Sequence, residues 1–143
     1  MSGIGIMRAL LTAHAPLAAL VPDDNIVAGV LPEDTQLNGI VLEHVSGSDR
    51  NIPLPGARRR VVERVQVNAL GKSYPEAEQI VKVVRKAAAD KILPDMSSYP
   101  GFGAMGVTEI TVHTAGRGPN DMNEDASIYI ASQDFLVGYN EPT

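Results

Sequence analysis

The chain contains no cysteine and no tryptophan, and its aromatic content is only 4%. Without cysteine there is no disulfide, no thiol nucleophile and no thiolate-ligated metal. The compartment stays open on that ground, with a cytoplasmic history compatible. With so few rings, Val, Ile, Leu and Ala must fill the core. Basic charge is also in short supply: 12 Lys and Arg against 17 Asp and Glu give a formal charge of −5. That balance argues against a nucleic-acid surface, which needs clustered cations to meet phosphates. Met1 to Val21 is apolar, but Arg8 and Pro16 break the run, so it is not expected to span a bilayer. Ala13-His14-Ala15 imitates a cleavage site, yet no basic leader precedes it, and a secretory signal is not expected. The nucleophile-elbow and P-loop patterns are missing. His14, His44 and His113 lie at no short ligand spacing. The many acidic residues leave a carboxylate pair open, but nothing singles one out. No catalytic, cofactor-binding or metal-binding residue is therefore assigned, and no cofactor is expected.

What is present is enough for one domain of 143 residues with 44% hydrophobic content. The stretch from Arg58 to Ile92 organises it. Val61, Val65, Val67 and Ala69 alternate with Arg64, Gln66 and Asn68, the signature of a half-buried strand. Gly71-Lys72 breaks the alternation. Ser73-Tyr74-Pro75-Glu76 then matches a capping box, in which the serine oxygen accepts the Glu76 amide and the Glu76 carboxylate reaches back to the Ser73 amide. Pro75 fits the first turn, where its missing N–H loses nothing. Ala77, Ile80, Val81, Val84, Ala87 and Ala88 follow at helical spacing. Acids precede bases along this helix, as its dipole favours, and Glu78 with Lys82 forms an i,i+4 pair.

Around this unit the pattern predicts a helix from Ile4 to His14, a short turn from Pro16 to Leu20, and a turn at Pro22–Asn25. An edge strand is expected at Ile26–Val30, a loop at Leu31–Asp34 and a strand at Leu37–Val45, with Ile40 and Leu42 on one side. Ser46 to Ala57, rich in Gly, Pro, Ser and Asp, predicts a hairpin tip. Leu93-Pro94 is expected to end the helix, before a long irregular loop from Asp95 to Gly106. Val107–Ala115 alternates again, Gly116–Asp121 reads as a turn, and Ala126–Tyr139 reads as the last strand. The parities of Ile128 and Ile130 against Phe135, Val137 and Tyr139 predict a bulge near Ser132–Asp134. The expected fold is α+β: an antiparallel or mixed sheet of about four to five strands with two helices on one face.

Three motifs carry a functional temptation. Gly101-Phe102-Gly103-Ala104-Met105-Gly106 fits G-x-G-x-x-G, but no strand leads into it and no helix follows, so a plain glycine loop is expected. Asp121-Met122-Asn123-Glu124-Asp125 imitates the start of a calcium loop, but the required glycine and glutamate positions hold Ala126 and Ser132. It reads as a solvated acidic tip able to meet a basic partner surface. Arg58-Arg59-Arg60 is the only basic run. It is either a charged strand start that discourages stray pairing or a patch that steers assembly with a neighbouring subunit, with DNA binding a weaker third option at this net charge.

In this layout the chain resembles the tail-completion or tail-terminator proteins of long-tailed bacteriophages. The likeness rests on Leu17-Ala18-Ala19-Leu20-Val21, the segment from Ile26 to Pro32, and Gly39-Ile40-Val41-Leu42-Glu43. The most telling block is Val65 to Glu78, with Phe135-Leu136-Val137-Gly138-Tyr139 closing the chain. The resemblance implies a virion protein assembled in the host cytoplasm: a ring, typically a hexamer, at the head-proximal end of the tail tube. Its implied partners are copies of itself, the tail tube protein and a head-completion or connector protein. No membrane and no sequence-specific nucleic acid is implied, with DNA able to pass through the lumen. Candidate contacts are Asp49, Arg50, Arg58, Arg59, Arg60, Arg117, Asp121, Glu124 and Asp125, and the candidate contacting tips are Ser46–Ala57 and Gly116–Asp125. The alternatives are a head-completion adaptor or a small ligand-binding or regulatory α+β module.

Overall fold

The computed structural model describes residues 3–29, 37–47, 52–99, 106–117, 121–122 and 128–142. Helix α1 (Gly3–Thr12) and the short α2 (Ala15–Ala18) lead through a 3-10 turn at Asp23–Asn25 into β1 (Ile26–Ala28). Then come β2 (Gly39–Gly47), β3 (Ile52–Leu54), β4 (Arg58–Gly71), α3 (Tyr74–Ala88), β5 (Lys91–Asp95), β6 (Thr108–Arg117), β7 (Asp121–Met122) and β8 (Tyr129–Pro142). The strands form one eight-stranded sheet in the order β1-β2-β4-β8-β6-β5, with β3 beside β4 and β7 beside β8. β1 runs parallel to β2, and every other pairing is antiparallel. The class is the expected mixed α+β one. The sheet is larger than expected, with three helices instead of two.

β4 and β8 are the paired centre, in register without interruption from Arg58 opposite Pro142 to Gly71 opposite Tyr129. β4 carries its apolar side chains on one parity: Val61, Val65, Val67 and Ala69 are all buried. Phe135, Val137 and Tyr139 of β8, Ile40 and Leu42 of β2, and Ile110 and Val112 of β6 continue that face. The helices cover it. α3 lays Ala77, Ile80, Val81, Val84, Ala87 and Ala88 onto the sheet, the stripe expected from the sequence, with Val83 added. α1 presents Ile6, Met7, Leu10 and Leu11 beside it, at the i, i+3, i+4 spacing of one helical face. Each such large side chain taken out of water contributes about 1.5–3 kcal/mol before the entropy of ordering it.

Local chemistry fixes the ends. Ser73 Oγ accepts the Glu76 amide at 3.4 Å, and Pro75 sits in the first turn. The reciprocal arm of the cap differs from expectation: Glu76 Oε2 accepts the Lys72 amide at 3.2 Å, one residue earlier than Ser73. The turn is tight enough that a Cβ on Gly71 would lie 2.8 Å from the Ala77 nitrogen, so glycine is what lets α3 start against the strand. At α1, the Gly3 amide donates to Glu63 Oε2 of β4, placing a carboxylate at the positive end of the helix.

Several expectations are corrected. The helix ends at Ala88, and Lys91–Asp95 is a strand on β6, not the helix end and loop start expected there. Ser46–Ala57 is not all tip, because Ile52–Leu54 pairs with Arg58–Arg60 and narrows the turn to Pro55–Ala57. β8 carries no bulge near Ser132–Asp134. The extra residues lie in its neighbour β6, between Thr108 and Thr111 and between Thr114 and Gly116. Glu109 and Gly116 take positive φ there. The parity conflict in β8 has another cause: Ile130 and Leu136 share the second face with Ser132, Asp134 and Asn140, so that face is partly apolar and its polar side chains are satisfied by cross-strand partners. The Leu31–Asp34 loop, most of the Gly101–Gly106 motif and Asn123–Asp125 lie outside the described residues.

Candidate assembly surface

Two surfaces are left once the helices have covered one face: the bare face of the sheet and its rims. The bare face mixes apolar side chains such as Val62 with polar ones that are tightly held. Ser132, Asp134 and Asn140 of β8 all point there and are all more than nine-tenths buried. Ser132 Oγ donates to Asn68 Oδ1 at 2.6 Å. Arg64 of β4 grips Asp134 Oδ2 through Nε and Nη2, both at 2.7 Å, and Nη2 also reaches the Ala115 carbonyl at 3.5 Å. Asn140 Nδ2 donates to Glu109 Oε2 at 2.7 Å.

The basic run starts β4, and the strand sorts its three side chains differently. Arg59 donates to Glu141 Oε1 across the β4–β8 pair at 2.6 Å. Arg60 lies over the bare face and donates to the Glu109 carbonyl at 2.5 Å, Thr111 Oγ1 at 2.9 Å and Asn140 Oδ1 at 3.2 Å. Gly138 makes room for it: a Cβ there would lie 2.6 Å from Arg60 Nη2. Arg58 is exposed and donates to the Pro55 carbonyl at 3.1 Å. Arg59 and Arg60 thus tie the middle strands together at one end of the sheet, and Arg58 is the member of the run turned to water.

Asp49 and Arg50, between β2 and β3 in the sequence, lie outside the described residues. Arg117 ends β6 and Asp121 begins β7, and Asp121 pairs with Ile130 near the Gly71 end. Glu124 and Asp125 lie outside the described residues, in the stretch between β7 and β8. β4 and β8 have 14 residues each, so the two ends stand roughly 45 Å apart. Among the described residues, Arg58, Arg59 and Arg60 thus lie at one end of the sheet, with Arg117 and Asp121 toward the other.

The rims were not legible in the sequence. On one side, among the described residues, β1 covers only Ile40–Leu42 of β2, leaving Glu43–Gly47 as an outer edge. Val45 is the bulge residue there and is 49% exposed. On the other side, β5 is the outermost strand, and Ile92 is 81% exposed. A shallow cleft of about 220 Å³ opens beside it, lined by Asp90, Lys91, Ile92, Thr111, Val112 and His113. Among the described residues no cluster of His, Asp and Glu could hold a metal ion, and no helix is long and apolar enough to cross a membrane. Tyr139 has its phenol pushed well above the usual range by burial and by the Glu63 carboxylate, to which it donates at 3.1 Å. That pair is part of the core and of the α1 start.

No protein-family model matches this chain, and no curated protein matches it. Solved structures do. A chain from the virion of a native gene transfer agent particle superposes with a TM-score of 0.67 over 97% of this chain and 95% of that chain, at 13% identity. The likeness runs through all the elements and shows that the two chains share a fold.

Proposed function

We propose that this chain is a structural virion protein of a phage-like particle. It forms a ring at the head-proximal end of the tail tube, ends tube polymerisation and offers the head connector its docking face. The observation that carries this reading is the end-to-end match to a virion chain, in which neither chain has a large unmatched part. The tail-terminator resemblance of Val65–Glu78 and Phe135–Tyr139 narrows the role within the virion. The two contact groups at opposite ends of the sheet suit a part that must meet different neighbours above and below. On this reading the chain acts by docking and carries out no reaction. DNA passes through the lumen without base-specific contact, and the protein resides in the virion after assembly in the host cytoplasm. Ring closure turns one modest contact into several simultaneous ones, so each can be weak.

The test is tube length. Tube protein polymerised alone and with this chain should differ: the chain should sit at one end and hold length to a narrow distribution. Tubes of unchanged length without the chain at an end would overturn the terminator role. Binding to the head connector in place of the tube would assign the chain as a head-completion adaptor.

A further inference from the structure

We propose that Lys91–Leu93 of β5 adds to the free Glu43–Gly47 edge of β2 in a second copy of this chain, continuing one sheet from subunit to subunit. This rests on the ring reading and names the surface that closes it. An edge strand presents unpaired N–H and C=O groups, and these are satisfied either by water or by another strand. Among the described residues, the one sheet ends in two such edges, on opposite sides. Each free stretch is five residues long, Lys91–Asp95 and Glu43–Gly47. Each carries an exposed aliphatic side chain, Ile92 at 81% and Val45 at 49%. Lys91 and Glu43 stand at corresponding ends with opposite charge.

The strand directions fix the geometry of the join. β5 pairs antiparallel to β6, which pairs antiparallel to β8, then β4, then β2, so β5 and β2 point the same way. Copies related by rotation alone therefore meet with β5 parallel to β2, a head-to-tail contact that closes as a ring. Pro94 has no amide to give and Lys91 is charged, both devices that limit indiscriminate edge pairing. They confine the added strand to Lys91–Leu93. The cleft lined by Ile92, Val112 and Thr111 then takes one side chain of the incoming strand, which supplies the specificity that backbone bonding lacks. Five strand spacings per copy give roughly 24 Å of arc, enough for six copies to leave an open lumen.

The absence of cysteine gives a clean reporter. Ile92→Cys and Val45→Cys variants are purified separately, mixed and oxidised gently. The expected result is a covalent dimer in the mixture and none in either variant alone. Cross-linking of Ile92→Cys with itself would show β5 meeting β5 and overturn the head-to-tail join. No cross-link in a mixture whose native mass still shows rings would overturn the edge and leave the ring reading standing. A wild-type chain that stays monomeric at high concentration, and binds no tube end, would overturn both. Ile92→Lys is the second probe. The side chain lies in water, so melting should be unchanged, while ring formation should need at least tenfold more protein. Rings formed at the wild-type concentration would count against the proposal.

Discussion

The two faces of β8 solve the same problem by different means. On the helix side, Phe135, Val137 and Tyr139 are buried among aliphatic side chains of β4, β6 and α3. On the bare side, Ser132, Asp134 and Asn140 are almost as buried, with no helix over them among the described residues. They are sealed by Asn68, Arg64 and Arg60 reaching across from β4. The first face is held by area removed from water, which tolerates no charge. The second is held by paired polar groups, which tolerate no missing partner. The comparison makes opposite demands on substitutions, and those demands can be tested.

The largest effect is expected on the apolar face. Val81 is 1% exposed beneath the sheet. Val81→Asp buries a carboxylate with no cation, which should destabilise by about 4 kcal/mol or more and unfold a domain of ordinary stability. Chemical denaturation with an unchanged midpoint would mean that this face is not sealed as described.

The polar face predicts an asymmetry. Arg64→Ala strands Asp134, whose Oδ1 already has no hydrogen-bond partner and whose side chain is only 10% exposed. That should cost about 2–3 kcal/mol. Asp134→Ala leaves a guanidinium that is 38% exposed and can turn to water. That should cost about 1 kcal/mol. The double variant should be less damaged than the sum. Equal costs for the two single variants would remove the distinction between a buried acceptor and a solvated donor.

Tyr139 joins the two modes, an apolar ring whose hydroxyl is held by Glu63. Burial and the Glu63 charge raise its pKa above the ordinary value of 10.0. The folded chain therefore keeps a proton that the unfolded chain releases as pH passes about 10, and stability falls from there upward. Tyr139→Phe should cost about 1 kcal/mol at pH 8 through the lost hydrogen bond. Its deficit against wild type should shrink by pH 10.5, because the variant lacks this alkaline loss. Denaturation midpoints of both proteins at the two pH values measure it, and a constant deficit would contradict the assignment.

How much of this was visible in the sequence follows from what each residue pattern reports. The β4–α3 unit was legible because alternation, cap and stripe are local and agree with one another. β5 was missed because Lys91-Ile92-Leu93-Pro94-Asp95 is short and holds a proline, which demotes a strand reading. β8 was found but misread. Ile128 and Ile130 against Phe135, Val137 and Tyr139 suggested a bulge, because nothing local shows that β8 has side chains to bury on both faces, with the partners of Ser132 and Asp134 more than sixty residues away. The assembly surface was least legible. Local patterning cannot say which strand is outermost, so Ile92 and Val45 looked like ordinary apolar residues, while the arginine run drew attention and two of its members proved to bind within the chain.

The smallest effect tests how the apolar face gets its helix. The Ser73 oxygen meets the Glu76 amide at 3.4 Å, a long bond for a cap. Ser73→Ala should therefore cost about 0.5 kcal/mol, the low end for such sites, because seven buried apolar side chains already hold α3 in place. If packing alone positions the helix, Ser73→Ala and Glu76→Gln should each lower the melting temperature by a few degrees at most and leave hydrogen exchange at Val81 and Val84 protected. Loss of that protection in Ser73→Ala would mean that the cap, not the apolar stripe, decides where the helix starts. The sealing of the helix side would then depend on one turn of chain at Gly71–Ser73.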